Sequence, residues 1–114
     1  MSFARFELRS QVGIVSFNRP DRLNAISSVL LNDLHAALDE AEACEEAATL
    51  VLTGVGRAFC AGEDLKEFND VAADPSSAQA HIASIQRVSR RVMFADRIVV
   101  AAARGYAVGG GFEW

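Results

Sequence analysis

Cysteine is nearly absent from this chain: Cys44 and Cys60 are the only two in 114 residues. They form no pair at metal-binding spacing, and two thiols in an acidic, loop-poor chain point to a reducing compartment, not a disulfide framework. Each reads as a small buried filler. Histidine is as scarce. His35 and His81 lie in helix-like stretches with no acidic or cysteine partner at useful spacing, and both read as incidental surface or boundary residues. No metal site follows from such a set. Positive charge is not in surplus either. Eleven Lys and Arg stand against fifteen Asp and Glu, for a net charge of −4 and a pI near 5.1. Phosphate binding draws on a basic excess, so the balance argues against nucleic acid as the main partner. Arg87, Arg90 and Arg91 read as the wet face of a helix. Long apolar runs are missing as well, and the longest, Ile98 to Ala103, is far too short to cross a bilayer. The N-terminal residues Met1 to Glu7 carry charge where a secretory peptide needs an apolar run. The expectation is a soluble, cytoplasmic chain with no membrane partner.

What is present is apolar patterning, with 51% hydrophobic residues, enough for one domain with a real core. Phe6 and Leu8 alternate with charged residues, and Ile14 to Phe17 forms a second apolar run after Gly13, so the start reads as a β-hairpin. Arg19-Pro20-Asp21 breaks the strand, because proline cannot donate to a sheet ladder. Ser27 or Ser28 can cap a helix in which Leu30, Leu34, Ala37, Leu38 and Ala41 recur at helical spacing. Leu50 to Thr53 reads as a short buried strand, followed by a loop of small residues from Gly54 to Asp64. After Pro75 the spacing predicts a helix over 76–95, with Ile82, Ile85, Val88, Val92 and Met93 as its buried stripe. Ile98 to Ala103 reads as another buried strand. Strands alternating with helices make this an α/β protein.

Two glycine-bearing segments call for more than a structural account. One is Ala58 to Lys66, which leaves a buried strand through a tight loop. The other is Gly105 to Glu113, where a strand runs into Gly109-Gly110-Gly111. Three adjacent glycines are costly in conformational entropy. They suit close approach of backbone to a ligand, or tight helix–strand packing, and the residues alone leave a plain strand-to-helix turn equally open. Known phosphate loops do not fit. Phe59 occupies the place of the third glycine of a dinucleotide fingerprint, and neither a Gly-Lys-Ser/Thr run nor a Gly-x-Ser-x-Gly elbow occurs.

Three segments taken in order do carry a resemblance. Asn18-Arg19-Pro20 with Leu23-Asn24-Ala25, then Gly56 to Leu65, then Gly105 to Glu113 closely resemble the crotonase (enoyl-CoA hydratase/isomerase) family across essentially the whole chain. The resemblance implies the ClpP/crotonase ββα spiral core, with residues 1–114 as the N-terminal part of a single domain. It implies an acyl-CoA thioester as partner, with CoA part of the substrate and no separate cofactor. It also implies an oxyanion hole from the backbone N–H groups of Glu63 and Gly110, with the Glu63 side chain directed to solvent or the substrate entrance. Glu113, two residues after the glycine triplet, matches the hydratase glutamate that holds and deprotonates water. Ala25, Ala61, Asp64 and Leu65 match positions along the adenine and pantetheine path, with Gly109 beside them. Arg22 and Lys66 adjoin those motifs and suit CoA phosphates, and Tyr106 suits the border of the acyl or pantetheine channel, as does Phe112. The implied reaction is addition of water to, or its removal from, an α,β double bond in fatty acid metabolism. Isomerases, dehydratases and decarboxylases of the family share the oxyanion hole.

The match departs from the family pattern at Trp114, where leucine is usual. The family continues past this point with later core strands, a second catalytic glutamate and C-terminal helices that build trimers or hexamers. The chain therefore reads as a truncated portion, expected to be a poor catalyst alone and at most a weak binder of CoA esters. An apolar sheet edge at 98–103 is expected to lie open.

Overall fold

The computed structural model describes residues 2–114. The hairpin forms as the alternation predicts. β1 (Ala4–Arg9) runs antiparallel to β2 (Val12–Phe17), with Phe6 opposite Val15. A short 3-10 turn at Pro20–Arg22 then turns the chain away from the sheet. α1 (Ser28–Ala43) starts where Ser27 Oγ accepts from the Leu30 amide at 3.1 Å. It buries Leu30, Leu31, Leu34, Ala37, Leu38 and Ala41 on one face. β3 (Thr49–Gly54) returns parallel to β2, and β5 (Val99–Ala102) pairs parallel with β3, giving the sheet order β1-β2-β3-β5.

Between β3 and β5 lie a short strand and two helices, of which the sequence pattern revealed only the second helix. β4 (Ala58–Cys60) pairs in parallel with β6 (Tyr106–Ala107) as a separate two-stranded sheet. α2 (Leu65–Ala72) is capped by Asp64, which accepts from the Glu67 amide at 3.2 Å. α3 (Pro75–Met93) opens on Asp74 and Pro75, and α4 (Gly110–Glu113) follows β6. Phe17, Ile26, Leu30, Leu34, Leu52 and Phe59 form the centre of the core, where α1 packs on β1 and β2.

Two expectations about burial are corrected. Of the stripe assigned to α3, only Val88 is fully buried; Ile85 and Val92 are half-buried, while Ile82 and Met93 are exposed. The helix rests on the body by one narrow line instead of a broad face. β5 was read as a buried strand, but it is the sheet's edge, with Val99 half-buried and Val100 to Ala102 exposed. The open apolar edge at this strand agrees with the sequence reading.

Two polar residues join distant segments. Arg97 donates from Nη1 to the carbonyls of Ala41, Cys44 and Ala47 at 3.2, 2.8 and 3.0 Å. It thereby satisfies the end of a helix that has no basic residue of its own there. Asn24 is wholly buried, with φ 57°. Its Nδ2 donates to the carbonyls of Val55 and Ala58 at 3.1 and 2.9 Å, and its Oδ1 accepts from the Arg19 amide at 2.8 Å. Asparagine tolerates the left-handed conformation better than most residues. Beside it, Arg19 Nη1 pairs with Asp64 Oδ2 at 2.9 Å and donates to the Ala25 carbonyl at 3.1 Å.

Replacing Asn24 with Ala strands two carbonyls and one amide, and should destabilise the fold by about 2–3 kcal/mol in urea unfolding. A loss below about 0.5 kcal/mol would show that the three segments hold without it. The Asp64 carboxyl gives a pH test. Burial alone pushes it up, but hydrogen bonds from the Glu67 amide and Arg19, with the Arg19 charge, bring it below its ordinary 3.8. A depressed folded value means the contribution is complete above the unfolded value and lost as pH falls through the folded one. Asp64→Asn should be less stable than the parent at about pH 7, and the difference should shrink on acidification below about pH 4. An unchanged difference at about pH 3 would remove Asp64 as its source.

Candidate functional site

The candidate site is assembled by three loops that meet beside Ile26. The first leaves β4 at Cys60. The Ala61 amide donates to the Leu23 carbonyl at 3.0 Å, the Ile26 amide to Gly62 O at 2.7 Å, and the Asp64 amide to Ile26 O at 2.9 Å. These bonds fix the peptides on both sides of Glu63. Among the described residues, the Glu63 amide itself donates to nothing.

The second loop carries the glycines. Gly109 adopts φ 56° and ends β6's extension, after which the amides of Phe112 and Glu113 bond its carbonyl at 3.0 and 3.2 Å. Gly110 is the first residue of α4, and its N–H has no acceptor among the described residues. The loops touch where side chains are missing. A Cβ on Gly62 would lie 2.8 Å from the Val108 carbonyl oxygen, and one on Gly111 would lie 2.4 Å from Cys60 O. The packing reading of the triplet applies at Gly111, which brings α4 close to β4, while the Gly110 N–H is left without an acceptor among the described residues. The Val108 amide bonds Cys60 O at 3.0 Å and ties the two loops together.

The other expected residues fall into two groups. Ala25, Ala61 and Asp64 are half-buried within the loop junction, and Gly109 lies against Gly62. Arg22, Leu65, Lys66, Tyr106, Phe112 and Glu113 all point outward and are exposed. Arg22 sits on the 3-10 turn and Lys66 in the first turn of α2. Tyr106 lies opposite Ala58, at the end of the β4–β6 pair away from the glycine triplet. Glu113 stands one turn into α4 after Gly110, as the motif spacing implies.

The readings of Glu63, His81, His35 and Arg91 are corrected. Glu63 is not directed freely to solvent: its Oε2 meets His81 Nε2 at 2.9 Å, while Oε1 is buried without a partner. His81 is not incidental, being 6% exposed and on the inner side of α3. Eighteen residues separate the pair, so spacing along one helix could not reveal it. His35 likewise has partners, the Ser84 carbonyl and Arg91, at 3.1 and 3.0 Å. Arg91 joins His35, Asp39 and Glu42, and is held above its ordinary range by those two carboxylates, against the opposing effect of burial. It belongs to the α1–α3 contact and not to a wet face. Cys60 fits its assignment as filler. Its Sγ donates to the Asn24 carbonyl at 3.1 Å, and burial pushes the thiol up to about 11, so it is a protonated thiol, not a nucleophile.

Trp114 ends α4 in the core, 8% exposed and 5.7 Å from the Phe17 ring, with its indole nitrogen buried and unpaired. A cleft of about 450 Å³ lies elsewhere, between the sheet and the ends of α1 and α3 near Leu50, Val92 and Phe94. It contains none of the expected site residues. A second cleft of about 400 Å³ reaches the site only through His81. The two amides without acceptors, Glu63 N–H and Gly110 N–H, lie on loops in contact through Gly62 and Val108. Among the described residues no helix is long and apolar enough to cross a membrane.

Known proteins resemble this chain in sequence and fold. A Rhizobium meliloti protein named "Probable enoyl-CoA hydratase" is 35% identical over 107 residues, covering 94% of this chain and 40% of the relative. The short-chain-enoyl-CoA hydratase of Clostridium acetobutylicum is 32% identical over 108 residues, with 94% and 41% covered. The crystal structure of enoyl-CoA hydratase from Thermoplasma volcanium superposes with a TM-score of 0.90 at 32% identity, over 97% of this chain and 44% of that one. The chain thus has the α/β fold of the crotonase structures and spans about two fifths of the length of the curated relatives it matches. With the family model for enoyl-CoA hydratase/isomerase matching residues 7–114, the chain belongs to that family.

Proposed function

We propose that the chain carries the thioester-binding and oxyanion half of an enoyl-CoA hydratase-type site, which adds water to, or removes it from, the α,β double bond of an acyl-CoA. The observation that carries this reading is the pair of free amides, Glu63 N–H and Gly110 N–H, on loops in contact through Gly62 and Val108. An α,β-unsaturated thioester reacts at its β carbon only if negative charge can collect on the carbonyl oxygen. Two fixed N–H donors stabilise that charge as it develops without reorganising. The start of α4 adds the positive end of its peptide dipoles. Because the donors are backbone groups, loop shape matters more than side-chain identity at either position.

Glu113 supplies the proton chemistry in this reading. It lies one turn along α4 from the Gly110 donor, and its carboxylate accepts a proton from the water being added. Ala25, Ala61, Asp64 and Leu65 follow the CoA path, where Arg22 and Lys66 are cations suited to its phosphates. Tyr106 and Phe112 offer apolar surface to the acyl or pantetheine portion. The names of the relatives support the substrate class, and the shared motif order supports the residue roles.

Two substitutions test the donors and the acid–base group separately. Gly110→Pro removes the N–H at the first helical position, which proline tolerates. Gly110→Ala keeps it and shares with proline the new Cβ, 3.0 Å from Ile26 Cδ1. Crotonyl-CoA hydration should fall about 10²–10³-fold more in the proline variant than in the alanine one, and equal rates would remove Gly110 from the oxyanion hole. Glu113→Gln should lower hydration by about 10²-fold or more, with acetoacetyl-CoA affinity kept in calorimetric titration. Equal hydration rates for this variant and its parent would exclude Glu113 from the chemistry.

A further inference from the structure

A carboxylate on the residue that donates to an oxyanion poses an electrostatic problem. The Glu63 carboxylate can be no more than roughly 6 Å from its own amide nitrogen by covalent geometry. A negative charge at that range opposes the charge that the amide is meant to stabilise, by about tenfold in affinity or rate across a partly screened interior. The structure supplies a counterpart. His81 Nε2 lies 2.9 Å from Glu63 Oε2, with the imidazole 4% and the carboxylate 24% exposed. Phe68 of α2 packs against the same imidazole, 6.4 Å between ring centroids. The neighbouring charges are already committed: Asp64 pairs with Arg19, and Glu67 accepts from the Ser28 amide at 2.8 Å. Arg87 lies along the cleft on the far side of His81.

Resting on the oxyanion reading above, we propose that His81 is a positioning residue that offsets the Glu63 charge and draws the carboxylate toward α3, away from the thioester oxygen. It acts through the N–H it donates, and through its positive charge whenever the ring is protonated. α3 thereby contributes to a site otherwise made of loops, and a glutamate becomes admissible where the motif requires only a backbone amide. Oε1 is buried and unpartnered. The role is electrostatic and depends on the carboxylate. Removing the imidazole should harm the site only while Glu63 is charged.

Calorimetric titration of the 114-residue chain with acetoacetyl-CoA, whose enolisable thioester probes the donors, and with free CoA, which lacks the carbonyl, tests this. His81→Gln should weaken acetoacetyl-CoA binding about tenfold with CoA binding kept, and Glu63→Gln/His81→Gln should recover most of that loss. A double variant as weak as the single one indicates packing alone and overturns the proposal, as does a single variant that binds like the parent. If His81→Gln lacks a cooperative melting transition, the comparison passes to Glu63→Gln with and without His81→Gln. Equal affinities there support charge offset, and a further tenfold loss overturns it. A parent chain that binds acetoacetyl-CoA no better than CoA refutes the oxyanion reading itself, and this inference with it.

Discussion

The Asn24 side chain is the joint on which the arrangement of loops depends. One amide group reaches the carbonyls of Val55 and Ala58 and the amide of Arg19, so the turn after β2 and the segment entering β4 cannot move independently. Its backbone carbonyl accepts from Cys60, extending the same hold to the end of β4. Buried polar groups are tolerated only when satisfied, and this one has its carbonyl oxygen and both carbonyl-directed amide contacts engaged. From that joint the order passes outward. Ile26 bridges to the peptides flanking Glu63, Cys60 receives the Val108 amide, and α4 begins where it can close on β4.

The consequence for chemistry is a division of labour between what is tied and what is left free. The peptides of Ala61, Gly62, Asp64, Val108 and Gly111 are all bonded within the junction. The amides of Glu63 and Gly110 are passed over, although each sits among satisfied neighbours. These two N–H groups are the donors on which the proposed oxyanion reading rests. The same logic gives the glycines their places: Gly62 and Gly111 stand where any side chain would strike a carbonyl of the opposite loop.

Periodicity and capping made the outer architecture legible. The hairpin, α1 with its Ser27 cap, β3, and α3 beginning at Pro75 were all written in alternation, helical spacing or proline placement. β4 and β6 were not, because strands of three and two residues carry no period. α2 was hidden because it is only eight residues long and follows directly on the small-residue loop, burying none of its residues fully. α3 misled for the opposite reason: its apolar residues outnumber those that find a surface to cover. Within the site, the family resemblance pointed to Glu63, Gly110 and Glu113 as candidates, and the glycines mark where backbone comes close. Asn24, Arg19 and His81 as partners were beyond such reading. Their roles depend on contacts across 18 to 45 positions of sequence, as Asn24–Ala58, Arg19–Asp64 and His81–Glu63 show.

Trp114 gives the chain a built-in optical reporter. It is the single tryptophan, and its indole lies against Phe17 at the foot of the short helix that begins at Gly110. Its emission therefore follows one local event, the seating of the glycine turn on the core. Partial unfolding of β5 or the outer face of α3 would leave that signal nearly unchanged, whereas release of α4 would expose the indole and shift its emission to longer wavelength.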